Sequence, residues 1–149
     1  MSALTAPRST AQYGGSPFGV LPETFAFTVS TGVTLYQGAL AVVSASTGTV
    51  QPMTQASSLV VAGRCEAGNG GVSSFAAGTQ ATIREGAFLW DLDPNHKPTA
   101  ANFGALVYGL DDHTIGTNAS SSSIAGVFLG LDPVSGQAIV LTTFFASLL

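Results

Sequence analysis

A chain of 149 residues with 46% hydrophobic side chains has a one-domain length and enough apolar material to bury a core without covalent staples. Only 8% of its residues are Asp, Glu, Lys or Arg, against about 25% in an average soluble domain. A net charge of −4 and four scattered cations, Arg8, Arg64, Arg84 and Lys97, argue against a nucleic-acid surface. The single cysteine, Cys65, excludes an intrachain disulfide.

No charged residue lies between Glu23 and Arg64, and none follows Asp132. Ser, Thr, Ala and Gly stand where surface charge would normally be. That pattern fits either a secreted or cell-surface β protein or a subunit whose faces meet other proteins permanently. The second is favoured, because interface cores are depleted of charge. The opening MSALTAPRST lacks a basic start followed by an apolar run, so maturation in the cytoplasm is expected. No run of about eighteen apolar residues offers a membrane-spanning helix.

In chain order, residues 1–21 are expected to form a flexible arm, with Pro7, Gly14, Gly15, Pro17 and Gly19 blocking regular structure. The arm nevertheless carries Leu4, Tyr13, Phe18, Val20 and Leu21. It reads equally as a frayed end or as a segment that becomes ordered by adding to a partner's sheet. Residues 22–149 are expected to form a single β domain. Phe25 to Ser30 alternates as a first strand. Val33 to Tyr36 and Ala39 to Ser46 are extended runs, broken at Gln37-Gly38 by a bulge or bend. A turn at Ser46 to Thr49, a short run into Pro52 and a strand over Leu59 to Glu66 follow, then a glycine-rich loop over Gly68 to Ser74.

Gln80 to Gly130 is the centre of the pattern. Ala81 and Ile83 face one way, and Gln80, Thr82 and Arg84 the other. After a turn signal at Glu85-Gly86, Phe88, Trp90 and Leu92 share a face, with the two aromatic residues expected in the core. Thr99 to Phe103 has room for one helical turn. Val107 opposes Leu106 and Tyr108, and Phe128 opposes Val127 and Leu129. Asn118 to Ser123 reads as a flexible loop, Ala138 to Phe145 as the closing strand, and Ala146 to Leu149 as a bare apolar end.

Little in the sequence looks like chemistry. Asp111-Asp112-His113 has the residue types for a Ca²⁺, Mg²⁺ or Zn²⁺ site. Neighbouring strand residues point to opposite faces, however, so the three are expected not to converge and to form a polar turn. Asp91, Asp93 and His96 form a looser group of the same kind. No metal or other cofactor is expected, and no catalytic residue. Cys65 in an apolar strand reads as a small buried hydrophobe, and no serine sits in a Gly-x-Ser-x-Gly elbow. Arg64 with Glu66 and Arg84 with Glu85 are expected to form structural ion pairs between neighbouring strands.

Val61 to Glu66 (VAGRCE), Ile83 to Phe88 (IREGAF), Tyr108 to Ile115 (YGLDDHTI) and Ala125 to Phe128 (AGVF) occur in an order that resembles the head-decoration, or cement, proteins of tailed bacteriophages, the Mu-like type above all. In that family a G-R-x-E strand, an R-x-G-x-F strand and a V-x-D-x-x-T-V strand follow one another. The resemblance covers roughly Val33 to Leu141. The serine loop and uncharged tail depart from it, and the arm lies outside it. It implies an all-β subunit, commonly trimeric, added to the outside of a shell of major capsid protein and resisting the pressure of packaged DNA.

The expected fold is therefore a compact β-barrel or β-sandwich with an extended N-terminal arm and little helix. The expected partners are the major capsid protein and further copies of the chain in a homotrimer, with no nucleic acid and no membrane. The place is the outer surface of the virion, after synthesis in the bacterial cytoplasm. Leu4, Tyr13, Phe18, Val20 and Leu21 are the expected capsid-binding residues. The alternative is a carbohydrate- or receptor-binding β module of a phage tail or cell surface, with Trp90 or Tyr108 lining its pocket.

Overall fold

A computed structural model describes residues 3–11 and 24–148. Over these residues the protein is all-β, with no helix of seven residues or more. The strands are β1 (Thr24–Thr28), β2 (Leu35–Tyr36), β3 (Leu40–Ser44), β4 (Val50–Pro52), β5 (Leu59–Cys65), β6 (Ser74–Phe75), β7 (Gln80–Arg84), β8 (Gly86–Leu92), β9 (Leu106–Gly109), β10 (Thr114–Gly116), β11 (Ile124–Leu131) and β12 (Ala138–Thr142). They form an antiparallel sheet in the order β1-β7-β5-β3-β4, a closed barrel in the order β10-β8-β12-β11-β9, and a two-stranded ribbon of β2 with β6. Within the barrel only the β10–β8 pairing is parallel.

The two-residue period places the core. Ala81 and Ile83 of β7 are buried, and opposite them on β1 stand Phe27 and Phe25. Phe88 and Trp90 of β8 point into the barrel with no exposed surface. They pack there with Val107, Ile115, Phe128 and Val140, and the two rings meet edge-on at 6.1 Å. The Trp90 indole Nε1–H donates to Thr142 Oγ1 at 2.9 Å, so the ring is buried without leaving its one donor unpaired. Leu40, Val42 and Val61 of the sheet, with Met53 just after β4, belong to the same cluster, which joins sheet and barrel through one core.

Several local expectations change. Glu85-Gly86 is not a hairpin turn: β7 ends at Arg84 and β8 starts at Gly86, so the chain passes there from sheet to barrel. Glu85 is buried at the passage, and its Oε2 accepts from Thr143 Oγ1 at 2.8 Å. The loop after Gly68 holds a 3₁₀ turn and leads into β6, which is too short to show a period. The expected bare apolar end is covered at Ala146, while Leu148 is exposed. Phe144–Leu148 forms a 3₁₀ turn with Ala146 buried, and Phe144 sits edge-on to Phe25 at 6.3 Å.

Candidate functional site

The described part of the N-terminal segment, residues 3–11, lies against the domain rather than free of it. The Leu4 N–H donates to both Asp112 carboxylate oxygens, at 2.8 and 3.0 Å, and its side chain packs on the sheet's second apolar cluster. The Arg8 N–H donates to Gln37 O at 2.9 Å, and its guanidinium reaches Asp91 Oδ2 at 3.0 Å. Thr10 Oγ1 donates to Gly38 O, and Leu89 of β8 donates its N–H to Ala11 O. Leu4, expected to meet a capsid, thus has an intramolecular seat. Tyr13, Phe18, Val20 and Leu21 lie outside the described residues.

The predicted ion-pair residues gather at the seam this segment crosses. Arg64 and Arg84 stand directly opposite each other on β5 and β7, an arrangement that would be repulsive alone. Glu66 resolves it: its Oε1 accepts from Arg64 Nε and from Arg84 Nε, each at 3.1 Å. Arg64 also lies over the Phe88 ring at 4.4 Å and donates to Thr10 O. One side chain therefore ties sheet, barrel and arm together. Glu85 has turned inward to Thr143. Cys65 beside them is buried, and its thiol is pushed up to about 12 by burial and by Glu66, against the opposing pull of Arg64. A thiol held in that form is a poor nucleophile.

Asp111, Asp112 and His113 overturn the expectation that they cannot converge. Each offers a ligand atom within 4.8 Å of the others. The alternation argument assumed a strand through these positions, but β9 ends at Gly109 and β10 begins only at Thr114. Between them the chain closes a turn, with the Leu110 N–H on Thr114 O at 2.9 Å and the His113 N–H on Asp111 Oδ1 at 3.0 Å. Inside a turn the rule of opposite faces no longer holds. His113 Nδ1 lies 3.0 Å from Asp112 Oδ1 and 3.2 Å from Asp111 Oδ1. Both carboxylates are buried. Burial pushes the Asp112 carboxyl up, and the His113 and Leu4 hydrogen bonds offset this only in part.

The looser group does not assemble. Asp93 pairs with His96 Nδ1 at 2.8 Å and accepts the Asn95 N–H, whereas Asp91 accepts from Arg8 and from Gln137 Nε2. Sequence reasoning missed the roles of Arg8 and Thr10. The one available signal was that Arg8 is the only cation before Arg64 in an otherwise neutral stretch, so a specific counterion was a reasonable inference.

One further feature stands out on the sheet. Phe25, Phe27, Val43, Val60 and Phe144 line an open, almost wholly apolar trough of about 340 Å³, beside β1 at the edge of the sheet. No protein-family model, curated protein or solved structure matches the chain.

Proposed function

We propose that the protein is a non-catalytic structural subunit of a tailed-phage particle. In this reading it is a decoration protein that binds the outside of the major capsid protein shell and reinforces it against the pressure of packaged DNA. It acts as a homo-oligomer, a trimer in the form the family resemblance implies. The observation that carries the reading is the apolar trough beside an edge strand, on a domain whose exposed surface holds very little charge. Such a face is a liability on an isolated monomer and an asset on a subunit that is always covered. The resemblance of the Val61–Glu66, Ile83–Phe88 and Tyr108–Ile115 stretches supports the same conclusion.

The rival reading, a sugar- or receptor-binding module, loses its best candidate residue. Trp90 has no exposed surface, and its N–H is engaged by Thr142, so it offers no face for a sugar ring to stack on.

The direct test is occupancy. Purified protein is added to expanded shells lacking it, and bound copies are counted by gel densitometry and located by electron microscopy. Val60→Asp, which places a charge in the trough, is expected to abolish binding while the isolated domain stays folded. Shells that take up no wild-type protein, or bound copies that touch neither one another nor the shell through this face, would refute the proposal.

A further inference from the structure

The turn that joins β9 to β10 contains an unmet demand. Asp111 is 4% exposed, and its Oδ2 is shielded from solvent with no hydrogen-bond partner among the described residues. A buried carboxylate oxygen without a donor is costly unless a cation lies against it. The other oxygen of the same carboxyl group is 3.2 Å from His113 Nδ1, and Asp112 Oδ1 is 3.0 Å from that nitrogen. A first-row divalent ion with bonds of about 2.0–2.2 Å to imidazole nitrogen and carboxylate oxygen sets neighbouring donors roughly 3.0–3.4 Å apart. These separations therefore suit an ion as well as they suit a shared proton.

The donor set narrows the choice of ion. Two carboxylates and one imidazole, without thiolate, suit a borderline divalent ion such as Zn²⁺ better than Ca²⁺, which prefers an all-oxygen shell. There is also room for solvent ligands. A cavity of about 260 Å³, lined by Ala3, Met53, Gln55 and Leu110 among others, opens onto Asp111.

We propose that Asp111, Asp112 and His113 form a site for a divalent transition-metal ion of the zinc type. The ion takes the Asp111 carboxylate through both oxygens, so that the unpartnered Oδ2 is met, together with one oxygen of Asp112 and Nδ1 of His113, and water from the adjoining cavity completes its shell. Nδ1 must present its lone pair, so any proton it carries is released to solvent as the ion binds. Because Asp112 also accepts the Leu4 N–H, the ion fastens the turn to the N-terminal segment. Its role is that of a structural clasp, and it stands whether or not the capsid reading does.

The test uses the full chain, freed of metal with a chelator and dialysed. Zn²⁺ and, separately, Ca²⁺ are titrated in by calorimetry while the imidazole resonances of His113 and His96 are followed by NMR. The expected result is one Zn²⁺ per chain, a shift of the His113 resonances with those of His96 unmoved, and Ca²⁺ binding weaker by at least about tenfold. Asp111→Asn should weaken Zn²⁺ binding by at least about tenfold, and His96→Asn should leave it unchanged. If Asp111→Asn does not fold, the two histidine signals of the wild type decide the matter. A wild-type chain that takes up no Zn²⁺, Zn²⁺ that perturbs His96 alone, or a folded Asp111→Asn that binds as tightly as wild type would overturn the proposal.

Discussion

Gly38 reports whether the N-terminal segment is truly seated. Its φ of +88° is in the left-handed region, and a Cβ built on it would lie 2.0 Å from the Arg8 carbonyl oxygen. Gly48 has a similar φ of +68°, yet nothing lies within 4 Å of the same position. Gly48→Ala should therefore cost only the left-handed strain, roughly 1–2 kcal/mol. Gly38→Ala carries the same strain and must also push the segment away. That breaks the Arg8 N–H bond to Gln37 and the Thr10 hydroxyl bond to Gly38, each contributing about 0.5–1.5 kcal/mol. The expected total is about 2–5 kcal/mol. Urea unfolding of both variants measures the difference, and trypsin supplies a second readout, because Arg8 becomes cleavable once the segment is displaced. In a chain beginning at residue 12 the two substitutions should cost the same. Equal costs in the full-length chain, with Arg8 cleaved as readily in wild type as in both variants, would refute the seating of the segment.

Thr142→Val should destabilise the fold by about 1–3 kcal/mol by leaving the buried Trp90 N–H unpaired, and Trp90→Phe by a similar amount through loss of the same bond and of buried ring volume. The double variant should cost less than their sum, and strict additivity in denaturant unfolding would show that the 2.9 Å bond is immaterial. Cys65, with its thiol raised to about 12, should stay unmodified by thiol reagents until the protein unfolds; modification of the native chain at the rate of a free thiol would contradict its burial. The Asp91 carboxyl is pushed up by burial, but the Arg8 and Gln137 hydrogen bonds and the Arg8 charge outweigh this and hold it below the usual carboxylate value. A depressed folded pKa contributes stability that is present above the unfolded value and is lost as pH falls through the folded one. The stability gap between wild type and Asp91→Asn should thus be largest near neutrality, close in acid and shrink with salt, since the side chain is 45% exposed. A gap independent of pH would remove Asp91 from the account.

Where the chain alternates, the sequence was legible: the inward faces of β7, β8, β9 and β11 follow directly from Ala81, Ile83, Phe88, Trp90, Val107 and Phe128. It was illegible where tertiary contact overrides local pattern. The two-residue strand β6 has no period to detect, whereas β2 falls inside the extended run expected over Val33 to Tyr36. Glu85-Gly86 has turn chemistry but is pulled straight by the passage between two sheets. At Asp111–His113 the expected turn is present, and what was missed is the convergence of its side chains. The Asp111 side chain satisfies the His113 N–H locally, competing with the strand ladder, and Asp is favoured in turns for that very ability. The docking of residues 3–11 rests on partners 28 to 108 positions away: Thr10 meets Gly38, and Leu4 meets Asp112. No local pattern encodes such pairs.

The charge deficit runs deeper than composition suggests. Most of the few charged side chains are engaged inside the molecule: Arg64, Arg84 and Glu66 where β5 meets β7, Glu85 at the passage to the barrel, Arg8 with Asp91, and Asp111 and Asp112 in the β9–β10 turn. Even the half-buried Asp132, in a turn at the surface, binds Ser135. The central strands explain why the seams need charge at all. Leu40 and Val42 of β3 enter the core shared with the barrel, while Ala39 and Ala41 enter a second cluster on the sheet's other face. With Leu40, Ala41 and Val42 of β3 buried on both faces, apolar side chains fill the interior, and polar ties hold the margins where sheet, barrel and arm meet. The outer coat is then left to Ser, Thr, Gly and Ala, with the Phe25–Phe144 trough open in it. Such a coat has almost no electrostatic repulsion to keep copies apart. Close packing against copies or a shell would carry little of the charge-desolvation cost that most protein surfaces impose, which is the physical basis for reading this domain as a building block.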